Sequence, residues 1–389
     1  MNKSSNIKTI IATGFAIFSM FFGAGNVIYP LALGQETLSQ NGFAITGMLI
    51  TAVGVPFIGL LAMTLFNGNY SHFFERIGKV PGFIVTALII SLMGPFGAMP
   101  RLLTVSYATF SMYWDVMSLP VFCILSTLII FAFTFRKSKI IDVLGYVLTP
   151  VLLVSLLVVI IKGVFFGSSS PESHLTSSDA FFKGALKGYQ TMDILAGLFF
   201  SSIVLACLEG VDQHEESHKN QRNTIFMTLK AGVVGLSLLA LTYIGFSYVA
   251  SYNSEFIANV TTDRILGTLA LELLGPYGGI IAITAVALAC LTTAIALAAV
   301  FSEFLHYDIF RKKVGYLPSL VITLVLNCVI AIQGFESIAA FLTPILIVLY
   351  PSLIVLSLLN IGHKLFHWET VKVPVIVTFA LSVLAQFIL

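Results

Sequence analysis

Five short stretches carry residues that could do chemistry in an otherwise apolar chain. The first reads Phe22-Gly23-Ala24-Gly25-Asn26-Val27-Ile28-Tyr29-Pro30. Each glycine costs a helix interior about 1 kcal/mol. Pro30 has no amide hydrogen, and its ring clashes with the carbonyl of Asn26 one turn earlier. A helix with this sequence unwinds locally, freeing carbonyls on one side of the break and amides on the other. Freed carbonyls can coordinate a small cation. The positive end of a half-helix starting near Val27 would face a carboxylate. Close helix packing through small residues is the competing reading, and the addition of Asn26 and Pro30 to the glycines favours a site.

The second stretch is Gly188-Tyr189-Gln190-Thr191-Met192-Asp193-Ile194-Leu195-Ala196-Gly197. An ionisable group within the membrane is costly and usually faces a cavity or a partner. Asp193 suits a substrate ammonium or the fixing of an unwound backbone; a helix cap at the membrane interface is the alternative. The third, Ala289-Cys290-Leu291-Thr292-Thr293-Ala294, offers two adjacent hydroxyls that could complete an oxygen shell for sodium, although Thr also bonds back to its own helix. The fourth, Gly94-Pro95-Phe96-Gly97-Ala98-Met99-Pro100-Arg101, is a double-proline break that ends in a charge. Arg101 is expected to snorkel or to pair with Asp193 or Glu336, in a structural role rather than in substrate contact. The fifth, His214-Glu215-Glu216-Ser217-His218, matches the zinc-peptidase pattern. It lies in a charged loop, and His72, His174, His306, His363 and His367 offer no evident third ligand. An intramembrane metalloprotease using His214 and His218 is therefore the disfavoured alternative class.

The elements that must position these residues follow from composition. Hydrophobic residues make up 58% of the chain and charged residues 10%, against about 25% charged in an ordinary soluble domain. A soluble surface cannot be covered at that level; lipid is the solvent that fits. A net charge of +2 gives no reason to expect a nucleic-acid partner. Apolar runs occupy 10–33, 43–66, 83–114, 119–135, 140–161, 188–208, 225–252, 276–305, 317–332, 339–361 and 373–389. In lipid each must be helical, since unpaired backbone groups there cannot be hydrated. The first run is too long for a secretory leader and is read as a retained helix. The polar stretch 167–187 is expected as an outer loop dividing the first five helices from the rest. With the N-terminus cytoplasmic, Lys162, Lys183, Lys187 and Arg264 fall outside and Arg101 lies within a segment. The rest of the twenty Lys and Arg fall inside, as the positive-inside rule requires. An odd number of helices puts the C-terminus outside. The four cysteines, Cys123, Cys207, Cys290 and Cys328, sit singly in apolar runs without metal or redox spacing.

Taken together and in order, 21–30, 94–101, Thr191-Met192-Asp193 and Leu291-Thr292-Thr293 resemble the bacterial branched-chain amino-acid transport system II carriers, over nearly the whole chain. The resemblance implies an all-α polytopic membrane protein of the leucine-transporter type. Such a protein is a 5+5 inverted repeat with discontinuous helices 1 and 6 and, here, about eleven spans. One transmembrane domain would cover 1–389, with repeats at about 8–162 and 186–361 and an extra helix at 372–389. It also implies sodium-coupled import of leucine, isoleucine or valine and no enzymatic activity, with the lipid bilayer and the amino acid as the only partners. Carried over by position, the substrate would meet Gly23, Ala24, Gly25, Asn26, Thr191, Met192, Asp193, Ala196 and Gly197. Sodium would sit among carbonyls near Ser19 and Phe22, with Ala289, Thr292 and Thr293 opposite. Met192, Ile194 and Leu195 would select an aliphatic side chain. Family members usually have twelve helices, and this sequence ends after the eleventh. Proton coupling through Asp193 is the alternative within the same class. A channel is a third class, and nothing here resembles a repeated pore-loop filter.

Overall fold

Three membrane helices are interrupted where the sequence places glycine, proline or acid in apolar runs. In the computed structural model, which describes residues 3–135, 149–168, 170–211 and 217–388, the first run is split into α1 (Lys3–Phe21) and α2 (Ala24–Thr37). The second comprises α3 (Asn41–Leu49) and α4 (Val55–Leu65), joined through a turn of π-helix at Ile50–Gly54. The third is broken as its prolines suggested, into α5 (Lys79–Met93) and α6 (Ala98–Ser111). α7 (Leu119–Thr134) and α8 (Thr149–Phe165) complete the first half. Arg136, Lys137, Lys139 and Asp142 lie outside the described residues.

The second half opens with another broken pair, α9 (Ser177–Gln190) and α10 (Asp193–Val211). α11 (Ser217–Tyr252), a short α12 (Ile265–Leu274) and α13 (Gly278–Phe304) follow. α14 (Tyr316–Ala331), α15 (Phe335–Phe366) and α16 (Lys372–Ile388) complete the chain. All eleven apolar runs are helical where they are described, apart from the breaks and frayed ends, and no strand occurs among the described residues. Many large apolar side chains, Leu128, Val154, Leu241 and Ile376 among them, remain exposed, as a lipid-facing surface requires.

The packing is reciprocal. Both halves of the first broken helix, α1 and α2, lie along the unbroken α11. The halves of the second pair lie along the second segment, α9 on α3 and α10 on α4. Each broken helix is thus supported by the helix that follows the other one, the pattern of a 5+5 inverted repeat.

One boundary departs from the sequence reading. The sixth helix begins at Ser177, inside the stretch expected as a loop, so the break at Thr191-Met192 interrupts a helix rather than opening one. Hydropathy misses α9 because it carries Asp179, Lys183 and Lys187. Those charges are accommodated locally. The Thr176 hydroxyl caps the helix by accepting from the Asp179 amide at 3.1 Å. Lys183 and Lys187 reach Glu36 of α2 at 2.9 and 2.8 Å. The opposite face, Ala180, Gly184 and Gly188, is buried. A Cβ on Gly184 would sit 1.8 Å from the carbonyl oxygen of Ala44, so α3 and α9 touch backbone to backbone.

Gly184→Leu must therefore separate α3 from α9. It is expected to destabilise the protein by about 1–3 kcal/mol or more, read as a lower unfolding temperature in detergent. Gly42→Ala, where the nearest atom to a new Cβ is 3.6 Å away, should leave that temperature unchanged. Equal unfolding temperatures for the two variants would contradict the close α3–α9 contact.

Candidate functional site

The start of α2 is capped from within. The Gly23 amide donates to Asn26 Oδ1 at 3.1 Å, and the Asn26 and Val27 amides donate to the Gly23 carbonyl at 3.1 and 3.2 Å. Helix geometry leaves the first-turn amides of Ala24 and Gly25 without an intrahelical acceptor. Pro30, inside α2, withholds the amide that would otherwise bond the Asn26 carbonyl.

The other break turns on Met192, whose φ of 67° lies in the left-handed region. That conformation costs an L-residue roughly 1–2 kcal/mol and persists only where the surroundings impose it. The Met192 carbonyl starts α10 by accepting from the amides of Leu195 and Ala196 at 3.1 and 3.2 Å. The two breaks abut: a Cβ on Gly25 would lie 3.2 Å from Thr191 Cα and 3.3 Å from its carbonyl oxygen. Only glycine allows this approach without displacement.

Side chains then tie the breaks together. Asn26 Nδ2 donates to the two carboxylate oxygens of Asp193 at 2.8 and 3.0 Å, and also to the Tyr243 hydroxyl. The Tyr243 hydroxyl donates to Asp193 Oδ2 at 2.6 Å. All three residues are buried. Asp193 is the first residue of α10, where the positive end of the helix favours a carboxylate. This group joins α2, α10 and α11 at one point.

A second polar cluster sits beside the first break. Thr292 Oγ1 lies 2.9 Å from the Ser19 carbonyl oxygen and 3.0 Å from that of Ala289. Thr293 Oγ1 is 3.3 Å from the same Ser19 oxygen. Oxygens collected at this spacing from α1 and α13 form a set that one small cation could touch together. Phe22 occupies the break itself, with its ring stacked on Phe18 at 5.1 Å.

Between the breaks lies a narrow cleft of about 30 Å³, room for a water or two. An amino acid therefore needs the half-helices to part toward the roughly 300–1,000 Å³ typical of small-molecule sites. Gly23, Ala24, Gly25 and Asn26 line one side, and Thr191, Met192, Asp193 and Ala196 the other. Thr293 also reaches the cleft, so it borders both the cleft and the oxygen cluster. Phe21, Met93, Phe200 and Leu297 supply an apolar wall.

Three expectations are corrected here. Gly197 does not line the cleft; a Cβ on it would meet the Pro56 carbonyl oxygen at 2.7 Å, because this glycine lets α10 approach α4. Ile194 turns the same way, against Gly59, and Leu195 is likewise absent from the lining, so the apolar wall comes from other helices. Arg101 forms no ion pair with Asp193 or Glu336 among the described residues, and Glu336 is exposed. Arg101 is instead buried and lines the cleft.

Sequence reasoning missed Tyr243 because a tyrosine within an apolar run carries no local signal. Its role appears only when α11 lies beside both breaks. Among the described residues no group of three His, Cys, Asp or Glu side chains could hold a metal ion. His214, half of the zinc-peptidase pattern, lies outside the described residues.

Comparison with known proteins agrees with this geometry. The family model for branched-chain amino acid transport protein matches residues 6–388. The branched-chain amino acid permease BraB of Bacillus subtilis (strain 168) is 32% identical over 383 residues, covering 94% of this chain and 82% of the permease. MhsT, solved in complex with L-phenylalanine, superposes with a TM-score of 0.59 at 14% identity, covering 95% of this chain and 98% of MhsT. A Na+-coupled sialic acid symporter in a substrate-bound outward-open state superposes with a TM-score of 0.55 at 12% identity, covering 90% and 78% of the two chains. These solved structures carry the leucine-transporter-type fold, and the permeases carry the sequence. The chain belongs to the branched-chain amino acid transport protein family of membrane carriers.

Proposed function

We propose that this chain imports aliphatic, branched-chain amino acids (leucine, isoleucine and valine) by sodium symport, with alternating access around the cleft between the two helix breaks. The observation that carries the reading is the meeting of the breaks at one cleft. There the start of α2 presents unpaired amides and Asp193 presents a carboxylate. The substrate carboxylate binds the Ala24 and Gly25 amides, helped by the positive end of α2. Its ammonium binds backbone carbonyls at the breaks and Asp193. A carboxylate accepts about four hydrogen bonds, and Asn26 and Tyr243 leave this one room for another donor. Phe21, Met93, Phe200 and Leu297 take the aliphatic side chain.

Sodium is the co-transported ion, held by the Ser19 and Ala289 carbonyls and the Thr292 and Thr293 hydroxyls, next to Phe22. Because these groups belong to α1 and α13, an ion there links the broken helix to an unbroken one. One positive charge crossing 100 mV yields about 2.3 kcal/mol. At 1.4 kcal/mol per tenfold, voltage alone supports roughly 50-fold accumulation of a zwitterion. The protein sits in the bacterial cytoplasmic membrane with its N-terminus inside and its C-terminus outside, with repeats at about 8–162 and 186–361. No protein partner is required for this cycle. Proton coupling is the second reading, favoured by a single observation: Asp193 is a buried carboxylate lining the cleft.

In proteoliposomes, an inward sodium gradient is expected to drive radiolabelled leucine above equilibrium, whereas a proton gradient alone is not. Accumulation with protons only would transfer coupling to Asp193, and accumulation with neither would remove leucine as the substrate. Thr292→Ala/Thr293→Ala should raise the sodium concentration for half-maximal uptake at least ~10-fold, the loss of two ligand hydrogen-bonding groups at about 1 kcal/mol each. An unchanged sodium dependence in folded protein would place the ion elsewhere.

A further inference from the structure

Arg101 is a charge in the membrane core with partners that do not suit it. It projects from α6, is 3% exposed and lines the same cleft as Asp193. Nη1 donates to the Tyr29 hydroxyl at 3.0 Å and, at the long distance of 3.5 Å, to the Gln190 carbonyl. Nη2 donates to the Met192 sulfur at 2.8 Å, and a thioether is a weak acceptor. Nε is buried with no acceptor. The guanidinium carbon also stands 5.9 Å from the centre of the Tyr29 ring. Nη1 is thus moored to oxygen, while the adjacent Nε and Nη2 are left with one sulfur between them.

Nε and Nη2 form one edge of the guanidinium fork, the edge that matches the two oxygens of a carboxylate. A buried cation is stabilised by an anion in contact with it; the Asp193 carboxylate, held by Asn26 and Tyr243, feels the charge of Arg101 but makes no direct ion pair with it. The cleft therefore holds a positive and a negative group that attract across it without touching. That arrangement is complementary to a zwitterion, whose carboxylate and ammonium would meet one group each.

We propose that Arg101 is a substrate-binding residue that takes the α-carboxylate of the transported amino acid on its Nε/Nη2 edge, and that it makes the carrier selective for free amino acids over their amides and esters. The carboxylate displaces the Met192 sulfur from Nη2, while Tyr29 and Gln190 keep the guanidinium in place. The proposal rests on the amino-acid transport reading above and adds a residue to it. The first-turn amides of α2 and Arg101 then hold the carboxylate from two sides.

The test compares leucine with leucinamide, which keeps the ammonium and side chain but replaces the carboxylate with a neutral amide. Each competes for uptake of radiolabelled leucine by full-length protein in proteoliposomes. Wild type is expected to favour leucine by at least ~100-fold, the discrimination of a site left with unpaired polar groups by the analogue. Arg101→Gln should reduce that preference to within ~10-fold, chiefly by weakening leucine, and Arg101→Lys should recover part of it. A residue that merely holds the fold would weaken both ligands equally, and an unchanged ratio in Arg101→Gln would overturn the proposal. If that variant does not fold, Arg101→Lys decides alone, since a point charge without the fork should lower the ratio and an unchanged one is contrary. A wild type that accepts leucinamide as well as leucine overturns the role of Arg101 and leaves amino-acid transport standing. A wild type indifferent to leucine but selective for another amino acid over its amide overturns the branched-chain reading and supports Arg101. Indifference to every amino acid overturns both.

Discussion

The hydrogen-bonded group of Asn26, Asp193 and Tyr243 is the interaction on which the two interrupted helices depend. In hydrocarbon a helix that stops must hand its loose backbone groups to something other than water. Here the side chain of Asn26 does this twice, capping Gly23 with its oxygen and binding Asp193 with its nitrogen. Asp193 in turn begins α10, where a carboxylate offsets the partial positive charge of the helix start. The positions that disturb the helices are also those that repair the disturbance. Tyr243 fastens the arrangement to α11, which runs the length of both α1 and α2.

Much of this was legible in the sequence because the membrane restricts the alternatives. An apolar run in lipid is a helix, so Gly23, Gly25 and Pro30 within one had to mark an interruption. The neighbouring Thr191-Met192-Asp193 and Thr292-Thr293 stood out by polarity alone. The structure brings eight of the nine expected cleft residues to one cavity, and brings Ser19, Ala289, Thr292 and Thr293 together beside it. What stayed hidden did so for separate physical reasons. α9 was obscured by Asp179, Lys183 and Lys187, charges that hydropathy counts as loop but that a cap and Glu36 accommodate. Gly197 belongs to the right stretch but faces α4, since a helix distributes neighbours around its whole circumference. Tyr243 and Arg101 acquire their surroundings only through long-range contacts that no local window contains.

Those contacts also divide the interrupted helices into groups. α2 and α9 are tied to each other by Glu36 with Lys183 and Lys187, and again through Arg101, which reaches Tyr29 of one and Gln190 of the other. α1 is held instead to α13 through Ser19 and the two threonines. The halves of the first broken helix thus share α11 as a support but differ in these polar ties. Asn26, Asp193 and Tyr243 remain the place where the groups meet.

The interruption between α5 and α6 has a mechanical consequence of its own. Uninterrupted, residues 79–111 would form a rod of about 50 Å, in which a tilt at one membrane face is delivered undiminished to the other. Divided after Met93, the segment becomes two arms of about 22 and 21 Å, articulated at Gly94-Pro95-Phe96-Gly97. Arg101 rides on the second arm alone, within two turns of the joint. The guanidinium is therefore set by the axis of the second arm, so its place in the cleft follows how α6 packs and not the line that α5 takes through the membrane.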